Sequence, residues 1–226
     1  MDHVLDNPAW NAHVSGNKQL SNGNEFVRYF NENVAPFVGL KENSTEDFQI
    51  LNELIPQDRV VVFISPLEMQ IPAEWKNLQY LNILQMVYDQ PELPAAVEIE
   101  PMLLEEKHIP EMLALTKLTN PGPFFERTID FGHYYGVFED GKLVAMAGQR
   151  MNPSPYAEIS AVCTHPDYLG RGYAKQLLLY HIHRIKSASE IPFLHVRRNN
   201  ERAVKVYEHT GFITRKELHF YVLQKA

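Results

Sequence analysis

Apolar and polar positions along this chain alternate with two periods, and each change of period marks a change of element. Short β-branched and aromatic runs at residues 26–30, 37–40 and 59–64 read as strands, the last a continuous apolar run of the kind buried inside a sheet. Between them, residues 45–55 place Phe48, Leu51, Leu54 and Ile55 on one helical face behind Ser44 or Thr45 as a cap. Residues 78–88 fit strand and helix equally well. Pro91, Pro94 and Pro101 then punctuate the chain, and a boundary is expected near residue 94, dividing it into regions 1–94 and 95–226.

The second region is easier to read. A strand is expected at 97–103 and a helix at about 106–118, while 124–131 is ambiguous. Strands at 134–138 and 142–149 flank Asp140-Gly141, a hairpin dipeptide, and a further strand covers 156–164. Ala174, Leu177, Leu178, Ile182 and Ile185 form the apolar stripe of a helix from about 171 to 186. A strand at 191–196, a helix at 200–209 and a strand at 212–223 complete the pattern. This order implies an α/β (α+β) layout, with a mixed sheet covered by helices on both faces.

Composition narrows the function classes. Hydrophobic residues make up 45% of the 226, enough to form a core without covalent staples. Against 28 Asp and Glu stand 21 Lys and Arg, a net charge of −7 that argues against a nucleic-acid or anionic-membrane surface. One cysteine, Cys163, excludes an internal disulfide or a multi-cysteine zinc site. His181 and His183, two apart on a helix, do not share a face, so metal binding is not expected. The polar first twenty residues show no leader pattern and no apolar run suits a membrane helix, so a cytoplasmic protein is expected.

The candidate chemistry begins at the turn formed by Leu169, Gly170, Arg171, Gly172, Tyr173 and Ala174. It joins a strand to a helix, where free backbone N–H groups meet the positive end of the helix dipole and can hold an anion. Arg171, a cation at a helix N-terminus, would be disfavoured unless an anion were bound there. Lacking Gly-Lys-Ser/Thr and a third glycine, the turn is neither a nucleotide-triphosphate loop nor a dinucleotide fingerprint. Downstream, Asn200 caps a helix on which Ala203 and Tyr207 share a face, ending at Gly211-Phe212.

These two motifs in this order resemble the GNAT superfamily of acyl-CoA-dependent N-acyltransferases, over about residues 97–222, and most closely its glycine N-acyltransferase-like branch. The resemblance implies a mostly antiparallel GNAT sheet, with residues 1–94 as a smaller α/β region, a degenerate GNAT-like half or an accessory domain. The family's Gln/Arg-x-x-Gly-x-Gly/Ala loop falls on residues 169–174, with Leu169 in place of the usual Gln or Arg. Its later helix motif falls on Asn200, Ala203, Tyr207, Gly211 and Phe212. The implied donor is acetyl-CoA, with the pantetheine arm along Val162, Cys163 and Thr164, and the implied acceptor is an amine of a small molecule or peptide.

The resemblance implies direct attack of a neutral amine on a thioester. Glu158, eleven positions before Leu169, is the first candidate base, on the expectation that partial desolvation raises its pKa toward neutrality. His195 is the second candidate. Tyr207 is the expected acid for the leaving thiolate, Cys163 a packed residue rather than a nucleophile, and a backbone N–H near Val162 the donor to the thioester oxygen. Two other readings share the cradle: a catalytically silent CoA sensor, and a transferase of longer acyl groups.

Overall fold

The structure is a computed structural model and describes residues 3–226. The first half contributes α1 (Pro8–Val14), β1 (Ser21–Gly23), β2 (Val27–Phe30), β3 (Phe37–Leu40), α2 (Thr45–Leu54), β4 (Val61–Ser65) and β5 (Trp75–Val87). The second contributes β6 (Met102–Leu103), α3 (Ile109–Thr119), β7 (Tyr135–Glu139), β8 (Lys142–Gln149) and β9 (Tyr156–Thr164). α4 (Tyr173–Ser187), β10 (Ile191–Arg197), α5 (Glu201–Thr210) and β11 (Ile213–Lys225) complete it.

Among the described residues eleven strands form one sheet in the order β1-β2-β3-β4-β11-β5-β10-β9-β8-β7-β6. Its pairs are antiparallel except β3 with β4 and β9 with β10. One apolar cluster on one face runs from Ala9 and Ala12 of α1 to Met112 and Leu115 of α3. The opposite face packs under Phe48 and Leu51 of α2, and under Leu178, Ile182 and Ile185 of α4.

The two halves are stitched together by β11, which lies between β4 and β5 and pairs with both, and by β5, which pairs with β10 on its other edge. This double pairing resolves the ambiguity of residues 78–88 in favour of strand: two partners supply backbone hydrogen bonds along its length. The proline-rich crossover contains less strand than expected. Only Met102 and Leu103 pair, against β7, because three prolines upstream lack amide donors. The crossover is tied to α4 instead: Glu98 N–H donates to Gln176 Oε1 at 2.8 Å, and His183 Nε2 lies 3.1 Å from the Ala95 carbonyl.

Three further differences have local causes. Residues 124–131 are irregular apart from a 3-10 turn at Thr128–Phe131. A 3-10 turn at Glu106–His108 precedes α3, because Pro110 fits the first turn of a helix but not its interior. The sequence reading did not anticipate α1, although Asn7 caps it by accepting from Trp10 N–H and Pro8 stands at its start. Among the described residues, no helix is long and apolar enough to cross a membrane.

Candidate active site

β9 and β10 run side by side only from Tyr156/Ile191 to Glu158/Phe193 and then part. Beyond that point Val162, Cys163 and Thr164 on β9 face a gap, while His195, Val196 and Arg197 pair only with β5 on the far side. A bulge in β9 assists the parting. Met146 pairs with Cys163 but Gly148 with Ser160, so β9 holds one extra residue, and Ala161 takes φ +53°. Parted parallel strands leave N–H and C=O groups without ladder partners, which is where an extended ligand can add its own.

The gap opens into a cavity of about 910 Å³. One side is lined by Val162, Cys163, Thr164, Asn200, Ala203 and Tyr207, the other by Glu32, Phe37, Asp58, Arg59 and Val62 from the first half. Residues 119–123, between α3 and the following loop, form part of the rim. Among the described residues the enclosed Thr164 hydroxyl finds no hydrogen-bond partner. Asn200 Oδ1 accepts from Ala203 N–H and so holds the first turn of α5 in place.

The turn at 169–172 lies outside this lining and is exposed, Leu169 by 46%. Gly170 and Gly172 both have φ +82°, a conformation glycine adopts without strain, and the space a Cβ would fill at either is open. Gly172 caps α4 with no side-chain hydrogen bond, so the first amides of α4 have no side-chain acceptor there. α4 begins at Tyr173, two residues later than the sequence suggested, and Arg171 precedes it with its guanidinium 4.7 Å from the Tyr168 ring centre.

Glu158 departs from expectation. It is 0% exposed and its carboxylate is saturated. Arg150 donates twice, Nε to Oε2 at 3.0 Å and Nη2 to Oε1 at 2.6 Å, Met151 N–H donates to Oε2 at 3.1 Å, and His195 Nδ1 lies 2.8 Å from Oε1. Burial alone would raise its pKa, but Arg150 and then His195 outweigh burial and hold it down at about 2. A carboxylate so acidic, with all four lone-pair directions used, is not the near-neutral base the sequence suggested.

His195 is enclosed as well. Its side chain is 2% exposed, its rings neighbours are Phe193 and Phe220, and its Nε2 lies 3.1 Å from Gln85 Nε2. Both ring nitrogens thus have a polar side-chain neighbour, Glu158 at Nδ1 and Gln85 at Nε2. Burial pushes the Cys163 thiol up to about 12 and the Tyr207 phenol up to about 12, so both stay protonated at neutral pH.

Comparison with known proteins assigns this geometry. Residues 97–212 match the acetyltransferase (GNAT) family. A GNAT-family acetyltransferase structure from Novosphingobium aromaticivorans superposes with a TM-score of 0.92 at 32% identity, covering 100% of both chains.

The chain belongs to the GNAT acetyltransferase family.

A GCN5-related N-acetyltransferase from Kribbella flavida shares the fold at 9% identity, with a TM-score of 0.64, over 96% of this chain and 95% of its own. Comparison with curated proteins finds no match. In this GNAT enzyme the structure gathers seven of the residues singled out from sequence around one cavity: Val162, Cys163, Thr164, His195, Asn200, Ala203 and Tyr207. It leaves Glu158 behind the cavity wall and residues 169–174 outside the lining. Sequence reasoning missed Arg150, Gln85 and the wall contributed by Glu32, Asp58 and Arg59. For Arg150 a signal existed: it and Glu158 carry opposite charges on either side of a proline-containing turn, and Arg150 N–H donates to the Glu158 carbonyl across it.

Proposed function

We propose that the enzyme transfers an acetyl group from acetyl-CoA to a primary amine of a small molecule or peptide, by direct attack. The parting of β9 from β10 into a cavity walled by Tyr207 carries this reading. Bound acetyl-CoA would supply the thioester. Backbone groups of Val162, Cys163 and Thr164 would hold its pantetheine arm, with the Thr164 hydroxyl as an added polar contact. The amides of residues 169–174 would hold its diphosphate. The placement of the C-terminal half in the glycine N-acyltransferase-like branch, and of a boundary near residue 94, belongs to the same proposal.

Direct attack is favoured because Cys163, the one thiol on the cavity wall, is held protonated by burial. Tyr207 keeps its proton for the same reason. Full transfer from such a phenol to a thiolate of pKa about 8.5 is uphill, so Tyr207 acts as a hydrogen-bond donor to the charge developing on sulfur. On the first-half wall Glu32 and Asp58 outnumber Arg59, and that negative excess attracts an ammonium ion. Deprotonating that ion at pH 7 costs about 1.4 kcal/mol for an α-amine of pKa about 8 and about 4.6 kcal/mol for a lysine-like amine of about 10.4. With neither Glu158 nor His195 free to take the proton, the weaker base is the better acceptor.

Calorimetry with coenzyme A, followed by an amine-library screen for thiol release from acetyl-CoA, tests this reading. The expected result is binding, acylation of at least one amine, and a ten- to hundredfold lower kcat in Tyr207→Phe with CoA affinity unchanged. Binding without acylation of any amine would favour the sensor reading. Faster turnover with a longer thioester would reassign the donor, and absence of CoA binding would overturn both.

A further inference from the structure

Behind the cavity floor the polar side chains form a relay whose direction is fixed by two donor-only and acceptor-only partners. Gln85 is fully buried on β5. Its Oε1 receives Arg215 Nη1 at 2.8 Å, and Arg215 is a donor only. Its Nε2 donates to the Leu5 carbonyl at 2.9 Å, and a carbonyl is an acceptor only. Those two contacts leave one orientation for the amide. The second N–H on Nε2 then points to His195 Nε2, which must carry the lone pair, and the ring proton sits on Nδ1 and is donated to Glu158. Glu158 in turn takes Nε and Nη2 of Arg150. Among the described residues Arg150 Nη1 has no hydrogen bond, and Arg150 lines the cavity with its guanidinium 4.5 Å from the Phe37 ring centre.

We infer that Gln85 and His195 are positioning residues that orient Glu158 and, through it, fix Arg150 so that its Nη1 donates to an oxygen of the acyl acceptor at the cavity floor. The second clause rests on the proposed transfer reaction. The first does not. The groups facing the His195 ring are the Glu158 carboxylate, the Gln85 amide and the Phe193 and Phe220 rings, with Arg150 beyond Glu158 and Arg215 beyond Gln85.

Nitrogen NMR of the full-length protein tests the relay without any substrate. The result expected for the wild type is His195 with its ring proton on Nδ1 and Nε2 bare, and for Gln85→Glu, which replaces a donor by an acceptor, a proton on both nitrogens. A wild-type ring protonated on both nitrogens or on Nε2 alone would overturn the relay, as would an unchanged ring in Gln85→Glu. Turnover of acetyl-CoA with the best amine from the screen tests the role. His195→Leu is expected to lose about ten- to hundredfold in kcat/KM, and His195→Asn, whose amide can still donate to Glu158, to recover most of it. Arg150→Lys is expected to raise KM for that amine about tenfold and leave KM for acetyl-CoA unchanged. If folded His195→Asn is as poor as His195→Leu, His195 takes the proton itself and the positioning role fails. If Arg150→Lys alters the acetyl-CoA KM instead, Arg150 does not meet the acceptor. Failure of CoA to bind the wild type would refute the transfer reaction while leaving the NMR result to stand or fall alone.

Discussion

The cluster around Glu158 and the gap between β9 and β10 lie on the same two strands, yet they treat polar groups in opposite ways. At Glu158 every lone pair is taken by Arg150, Met151 and His195. A few residues further along, the facing strand edges have no ladder partner and the Thr164 hydroxyl is enclosed without one. A saturated buried carboxylate has nothing left to offer a ligand and instead holds its partners in place, Arg150 among them with Nη1 left to face the cavity. Unused polar groups beside a cavity are the ones a ligand can satisfy. The contrast separates support from recognition on a single pair of strands.

The largest effect that would break this comparison is expected at Arg150. Arg150→Ala leaves the Glu158 carboxylate buried without its cation and should destabilise the fold by about 3–5 kcal/mol, read by urea denaturation. A loss below about 1 kcal/mol would mean that the cluster supports little. Next comes acid. The folded pKa of Glu158 is depressed, so its contribution is fully present above the unfolded value of about 4.5 and is lost as pH falls toward about 2. The expected change is on the order of 3 kcal/mol over that window, and Glu158→Gln should flatten it in a pH series of denaturation curves. Smallest is Gly172→Ala, which forces an L-residue to φ +82° and should cost about 1 kcal/mol in stability, with CoA affinity falling about fivefold. A full-affinity Gly172→Ala would take the glycine turn out of the recognition region.

What could be read from the sequence divides along the same line. Local signals survived. Ser44 and Asn200 cap α2 and α5 through their side chains, and the hairpin at Asp140-Gly141 joins β7 to β8. The two motifs that place the enzyme in its family are local too. The state of Glu158 was not legible, because it depends on a partner eight positions away across a turn and on another 37 away on β10. Gln85 is 110 positions from His195, and no period in the sequence joins them. The cavity wall from Glu32, Asp58 and Arg59 needed the pairing of β3 with β4 and of β4 with β11.

The place of β11 has a consequence for how the chain is made. β4 and β5 both lie within the first 87 residues, but the strand that joins them ends at Lys225. At ribosomal speeds of about 5–20 residues per second, the facing edges of β4 and β5 wait on the order of ten to thirty seconds for it. During that interval those two edges carry backbone donors and acceptors that nothing in the first half of the chain pairs, the condition in which strand edges meet one another wrongly.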